Sequence, residues 1–259
     1  MTQTAINTQH IKLRMGARAL GRAGLVHAFG HCSVRVDDEQ FLVCAPQPMG
    51  TIAAGETNTS VSVRGPLPDG VLGEVRIHQA IYQRRPEIKA VCRIMSPAVM
   101  ALSTQGLTPT CRHGLSAYFE NNIPLWADPR LLRDDDRAQS LADMMGSATA
   151  LVMRGNGSVV VGESIEEAVS YAWFLEDSAR LELSVRSANF IPEAGVLSDD
   201  EIRDRQVKIG VFERMWRYLT AGDPETDRVS ETLVGSVNNL NGGIVDDDDA
   251  ELELYHFVV

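Results

Sequence analysis

The sequence predicts an α/β fold, layered rather than closed into a barrel. Short extended runs and longer amphipathic segments alternate irregularly, glycine- and proline-rich breaks separate them, and no internal repeat is present. At 259 residues the chain has room for one large domain, or a domain with an appendage, and for a substantial core. An apolar content of 44% with 23% charged residues is that of an ordinary globular protein.

Residues 8–23 space Ile11, Met15, Ala19 and Leu20 among basic neighbours, which predicts an amphipathic helix interrupted by Gly24. Extended runs at 32–36 and 40–44 flank Asp37-Asp38-Glu39 and suit a hairpin. Residues 61–63 offer a third strand before a Gly-Pro-rich loop at 65–70. Residues 74–84 carry Ile77 and Ile81 at helical spacing, and Pro86 stops the helix. A buried strand follows at 89–94, then a short helix at 97–104 with Pro97 in its first turn, where a missing N–H does no harm. Residues 131–147 read as a helix, and 150–153 with 158–161 as a strand pair around a glycine turn.

Ser164-x-x-Glu167 reads as a capping box opening a helix to about Arg186, and Ser198-x-x-Glu201 as one opening a helix to about Leu219. Trp173 and Trp216 fall on these helices and read as core. After Gly222-Asp223-Pro224 the chain turns polar, with an acidic run at 246–249 that repels itself. Residues 1–222 are therefore assigned to the folded domain. Residues 223–259 are assigned to a tail that either packs on its own or a neighbouring subunit or stays unstructured.

The formal net charge of −11 argues against sequence-independent binding to nucleic acid or an anionic membrane. An anionic small molecule held by a few local arginines remains open. No apolar run is long enough to span a bilayer, and the N-terminus lacks a secretory profile. Cys32, Cys44, Cys92 and Cys111 show no paired spacing and read as reduced thiols of a cytoplasmic protein. Cys92 is expected to point into the core, opposite Arg93. Gly155-Asn156-Gly157 is too short and too late for a dinucleotide fingerprint, so no cofactor is predicted.

Five blocks then stand in a recognisable order. They are Phe29-Gly30-His31-Cys32-Ser33-Val34-Arg35 with Phe41-Leu42; Gly73-Glu74 opening a helix through His78 and Tyr82; Ala90-Val91-Cys92-Arg93-Ile94-Met95-Ser96-Pro97; Arg154-Gly155-Asn156-Gly157 through Gly162; and Ser164 to Ala168. Over roughly residues 7–188 this resembles the class II aldolase/adducin family. The resemblance implies a mixed sheet flanked by helices, a small-molecule substrate, and ring-like homotetramers with sites between subunits. In metal-dependent members the third block carries His-x-His and the fourth Asn-His-Gly. Here those positions hold Arg93, Met95 and Asn156, while the catalytic acid of the family has its match in Glu74.

The changed residues favour no metal. A guanidinium has no lone pair to donate, a thioether is soft, and Asn156 offers only an amide oxygen. Arg93 instead supplies a fixed positive charge, as electrophile or substrate anchor, with Glu74 as acid/base. The alternative is a structural Arg93–Glu74 ion pair filling a vacated pocket. His31 and Ser33, with Met95 and Asn156, are expected to contact substrate.

His78 shares the helix face of Glu74 and reads as structural, although a relocated metal site of Glu74, His78 and His31 is a further alternative. Pro46-Gln47 and Leu72-Gly73 replace the phosphate-holding elements of sugar-phosphate aldolases, which disfavours a phosphorylated substrate. The Gly-His form at 30–31 resembles decarboxylase-like branches. In tetrameric relatives the 111–118 segment borders a neighbour's site, so Arg112, His113 and Tyr118 are candidate carboxylate anchors or proton donors across an interface. The resemblance thus implies either a metal-independent lyase with an enolate-like intermediate or a non-catalytic scaffold of the adducin kind.

Overall fold

The computed structural model describes residues 3–188, 190, 191 and 193–229. Among the described residues seven strands form one sheet: β1 (His31–Arg35), β2 (Gln40–Val43), β3 (Thr59–Ser62), β4 (Ala90–Ile94), β5 (Leu125–Trp126), β6 (Ala150–Met153) and β7 (Ser158–Gly162). Their order is β3-β2-β1-β4-β7-β6-β5, and only the β5–β6 pair is parallel, so the sheet is mixed. β1, β4, β6 and β7 are buried along their whole length, because helices cover both faces.

One face carries α1 (Gln3–Arg22), α3 (Pro97–Thr104), α5 (Ile165–Ser187) and α7 (Val211–Leu219). Leu13, Leu20, Cys32, Cys92, Val160, Val169 and Leu175 pack there. The other face carries α2 (Arg76–Arg84) and α4 (Asp135–Met145), around Phe41, Val91, Val159, Ile77, Ile81 and Leu141. Alternation along β4 sends Cys92 to the first face and Arg93 to the second, beside α2. All four cysteines are buried and free. Among the described residues no helix is long and apolar enough to cross a membrane.

Several local expectations change. The first helix begins at Gln3, five residues before the expected start. Glu74 lies in a 3-10 turn, Gly73–Val75, ahead of α2. The helix expected from 131 starts only after Asp134, whose side chain accepts the Arg137 N–H. Ser164 caps α5 by accepting the Glu167 N–H, but the Glu167 carboxylate takes the N–H of Glu163, so this is half a capping box. Ser198 and Glu201 form a complete one, opening α6 (Asp199–Arg205). The single helix expected over 198–219 is two, divided before Gly210, whose positive φ of 73° begins α7.

The chain does not leave the body at residue 223. Asp223 and Glu225 are buried against α1, where Arg14, Arg18 and Arg22 stand one turn apart. Arg18 reaches Asp223 at 2.6 Å and Glu225 at 2.9 Å; Arg14 contacts both oxygens of Glu225, and Arg22 reaches Asp223 at 3.1 Å. The acidic run at 246–249 and the apolar end of the chain lie outside the described residues.

Candidate active site

The buried polar residues of the sheet gather on the α2 face. His31 on β1 lies directly across from Arg93 on β4, and period-2 alternation gives their side chains the same face. Two glycines let the backbone close around them. A Cβ on Gly157, whose φ is 79°, would stand 2.0 Å from the Ile94 carbonyl oxygen. Only glycine lets the β6–β7 turn approach β4 so closely, and that approach brings Asn156 to Arg93. Gly30 packs likewise, with an added Cβ 3.0 Å from the Arg93 carbonyl oxygen.

Arg93 is 2% exposed; its Nη2 donates to Asn156 Oδ1 at 2.7 Å and stands 3.3 Å from Glu74 Oε2. Burial draws the guanidinium below its ordinary value, and Glu74 partly opposes that. Deeper in, Tyr82 OH contacts Ser33 Oγ at 2.8 Å, Ser33 Oγ contacts His78 Nδ1 at 2.6 Å, and His78 Nε2 contacts His31 Nδ1 at 2.8 Å. Burial and then Arg93 pull His78 down to about 3. Burial, His78 and Arg93 hold His31 well below the usual histidine range. Both rings are neutral at physiological pH.

A cavity of about 260 Å3 opens beside this cluster. Phe29, Gly30, His31, Gln47, Glu74 and Arg133 contribute to its wall, and Glu74 is its only carboxyl. Five of the ten buried side-chain atoms without a hydrogen-bond partner among the described residues belong to four residues here. They are His31 Nε2, Glu74 Oε1, Arg93 Nε and Nη1, and Asn156 Nδ2. Native interiors leave few such groups, so this concentration marks a place built to receive a polar partner. A larger cavity, about 330 Å3, lies by Gln9, Lys12 and Glu166. Its Lys12–Glu166 pair is already formed at 2.6 Å, and only Gln9 Oε1 lacks a partner there. The smaller cavity is therefore the candidate site.

The sequence-predicted residues divide. Glu74, Arg93, Asn156 and His31 come together. Arg93 stands behind Glu74 and contributes nothing to the cavity wall, so the ion pair foreseen as the alternative is formed. Asn156, expected to contact substrate, is bonded to Arg93 and likewise lines no part of the cavity. Ser33 is fully buried, two hydrogen bonds behind His31's cavity edge, and is not placed to touch substrate. Met95 is half-buried just past β4, with its N–H on the Leu25 carbonyl, and lines no part of the cavity.

Arg112 is committed within the chain, donating to the buried Glu182 at 2.7 Å and to the Ala194 carbonyl at 2.6 Å. Tyr118 donates to the Val207 carbonyl at 2.6 Å and stacks on Phe174, with ring centroids 5.5 Å apart. Neither is available as a cross-subunit anchor or proton donor. His113 is half-buried, 3.3 Å from Ser178 Oγ and 3.8 Å from Asp177, and lines no part of the cavity. Sequence reasoning missed Arg133, an exposed cation of the wall with no salt-bridge partner among the described residues. Nothing in the pattern around residue 133 signals that role.

The donor set does not fit the divalent cation of metal-dependent family members. Asn156 Oδ1 is occupied by Arg93, which itself cannot ligate. Two nitrogens on one tetrahedral zinc, each at about 2.0–2.1 Å, stand roughly 3.3 Å apart, whereas His31 Nδ1 and His78 Nε2 face each other at 2.8 Å. Among the described residues no group of three or more His, Cys, Asp or Glu side chains is arranged to hold a metal ion.

A mixed sheet covered on both faces, with an acid before α2 and a polar cluster at the β1–β4–β7 centre, defines the class of protein. The family profile described as Class II Aldolase and Adducin N-terminal domain matches residues 12–183, and the chain belongs to that family. It is 28% identical over 190 residues to a 3,4-dihydroxyphthalate decarboxylase of Terrabacter sp. (strain DBF63), covering 66% of this chain and 78% of that one. It is 26% identical over 237 residues to β-adducin of Rattus norvegicus, covering 81% of this chain and 30% of the adducin. Among solved structures, an L-fuculose-1-phosphate aldolase from Thermus thermophilus superposes with a TM-score of 0.63 at 25% identity. That match covers 74% of this chain and all of that one.

Proposed function

We propose that this protein is a metal-independent lyase acting on a small, non-phosphorylated carboxylate, with decarboxylation of a hydroxylated aromatic acid as its leading reaction. The observation that carries this reading is the pair of unpartnered buried atoms on two wall residues, Glu74 Oε1 and His31 Nε2, backed by the unpartnered donors of Arg93 and Asn156, beside a cavity sized for a small molecule. The similarity to a decarboxylase and to an aldolase supports it, since both reactions break a C–C bond and leave an electron pair that a neighbouring oxygen disperses.

In this reading Arg133 draws the substrate carboxylate to the mouth and Phe29 covers the apolar part of the substrate. When the bond to the carboxylate breaks, carbon dioxide leaves and the electron pair stays on carbon. Glu74 passes a proton from water to that carbon, and hydroxide returns to solvent. Arg93 fixes the Glu74 carboxylate from behind, and Asn156 fixes Arg93. A homotetramer with His113 reaching a neighbour's site is part of the same proposal.

The test is carbon dioxide and aldehyde release from a panel of dihydroxybenzoate-type acids and 3-hydroxy and 2-oxo acids, with and without a chelator. The expected result is turnover that survives chelation and is lost in Glu74→Gln. Loss on chelation with recovery in zinc or manganese overturns metal independence. No turnover across the panel favours the second reading, a non-catalytic scaffold. That reading is supported by the closed Arg93–Glu74–Asn156 contact and by the similarity to β-adducin; it expects Glu74→Gln to change stability and nothing else.

A further inference from the structure

We infer that the buried chain Tyr82–Ser33–His78–His31 is a positioning relay that fixes one tautomer of His31, so that its Nε2–H is presented to the cavity as a hydrogen-bond donor for a substrate carboxylate. The argument is a hydrogen inventory. With both rings neutral, the four groups carry four hydrogens: one on each hydroxyl and one on each imidazole. They are joined by three contacts.

If every contact holds one hydrogen, three arrangements exist. In the first, Tyr82 donates to Ser33, Ser33 to His78 Nδ1, and His78 Nε2–H to His31 Nδ1. The remaining hydrogen then sits on His31 Nε2. In the second, every bond reverses and the remaining hydrogen sits on the Tyr82 hydroxyl. In the third, only the two histidine bonds reverse, Tyr82 still donates to Ser33, and the remaining hydrogen sits on the Ser33 hydroxyl.

The two ends are not equivalent. Tyr82 is 2% exposed and packs on Phe41, with ring centroids 5.0 Å apart and Arg35 over its face at 4.6 Å. Its hydroxyl has no hydrogen-bond partner besides Ser33 among the described residues. A phenolic hydrogen turned away from Ser33, or a hydrogen on the fully buried Ser33 hydroxyl turned away from both its neighbours, would be a buried donor without an acceptor, which is unfavourable. His31 Nε2 is the one atom of these four residues without a partner; it is sealed in this structure, but His31 alone of the four borders the cavity, the side from which an acceptor can reach it. The arrangement with Nε2–H outward therefore prevails. Asn156 Nδ2 and Arg93 Nε and Nη1, behind the cavity wall, are likewise donors without acceptors in this cluster. A partner rich in acceptors, a carboxylate, matches such a set. Ser33, His78 and Tyr82 act through His31 and are positioning residues.

The identity of the ligand rests on the proposed lyase reading; the tautomer does not, and is measured without substrate. In the full chain labelled with 15N-histidine, His31 signals are assigned by His31→Gln and, independently, by through-bond correlation from its backbone. The expected spectrum at pH 7 shows His31 Nε2 protonated and Nδ1 as an acceptor. Nδ1 protonation, an imidazolium or a mixture of tautomers overturns the inference. Titration with benzoate, the probe carboxylate, is expected to move the Nε2–H signal and leave His10 unmoved. An unmoved His31 signal at saturation overturns the donor role. His31→Met is expected to weaken benzoate binding about tenfold, and His31→Gln, whose amide can donate, to restore most of it. Equal affinity in His31→Met and the wild type overturns it as well. Absence of turnover with the tautomer in place defeats only the lyase reading.

Discussion

Two regions bury charge, and they treat it in opposite ways. Where residues 223–225 return to α1, Asp223 and Glu225 are sealed from solvent, and every carboxylate oxygen meets an arginine of the Arg14, Arg18, Arg22 row. Burial pushes both acids up, and the hydrogen bonds from Arg18 and Arg14 outweigh it and hold them below the usual carboxylate range. Around Glu74 the pairing is incomplete. Among the described residues one oxygen meets Arg93, the other has no hydrogen-bond partner, and the guanidinium keeps two groups idle. A fully satisfied cluster contributes structure. An unsatisfied one in the same interior fits the proposed site, in which a ligand completes it.

The contrast breaks most severely if Glu74→Gln turns out to be a stability variant. The expected outcome is a fall in kcat of about 10²–10⁴-fold, the range of a lost general acid, with the denaturation midpoint little changed. Glu74 is partly exposed and singly bonded, so an amide fits its place. Arg18→Ala should do the converse. It leaves Asp223 with Arg22 as its one arginine and Glu225 with Arg14, and is expected to cost about 3–5 kcal/mol in urea unfolding while leaving turnover per folded molecule intact. Equal stability losses in the two variants would erase the distinction.

Much of this was legible in the residues. Hairpin, helices and strand pair follow from periodicity and punctuation, and Gly73-Glu74, Arg93 and Asn156 converge as the family resemblance implies. The relay was also written there: His78 and Tyr82 lie four apart on a helix, and His31 and Ser33 two apart on a strand, so each pair shares a face. The rest depends on partners distant in sequence. Nothing near Arg112 or Tyr118 announces Glu182 or the Val207 carbonyl, which occupy them. Asp223 and Glu225 resemble the acidic stretch that follows until the arginines on α1, more than 200 positions earlier, are seen opposite them. Arg133 is defined only by the cavity it borders.

Arg133 gives a smaller effect that sharpens the site side of the comparison. It is exposed and without a salt bridge among the described residues, so Arg133→Ala should leave stability within about 0.5 kcal/mol. As a ground-state anchor it should raise KM about tenfold with kcat retained. A fall in kcat with KM unchanged would place Arg133 at the reacting atoms instead.

Acid separates the two regions with the smallest effect. His31 and His78 have folded-state values below 6.5, so the unfolded chain binds more protons and stability falls as pH drops below 6.5. At pH 6 this amounts to ~0.8 kcal/mol for each ring that stays neutral in the fold. Asp223 and Glu225 are lowered acids. Their contribution is complete above the ordinary carboxylate values of 3.8 and 4.5 and is lost as pH falls through the lower folded values. Stability measured against pH should therefore descend in two stages, the histidine stage first. His78→Gln is expected to remove part of the upper stage and keep the lower, and Arg18→Ala to do the reverse. An upper stage unchanged in His78→Gln would mean that the ring is not held neutral, and the relay's hydrogen count would fail with it.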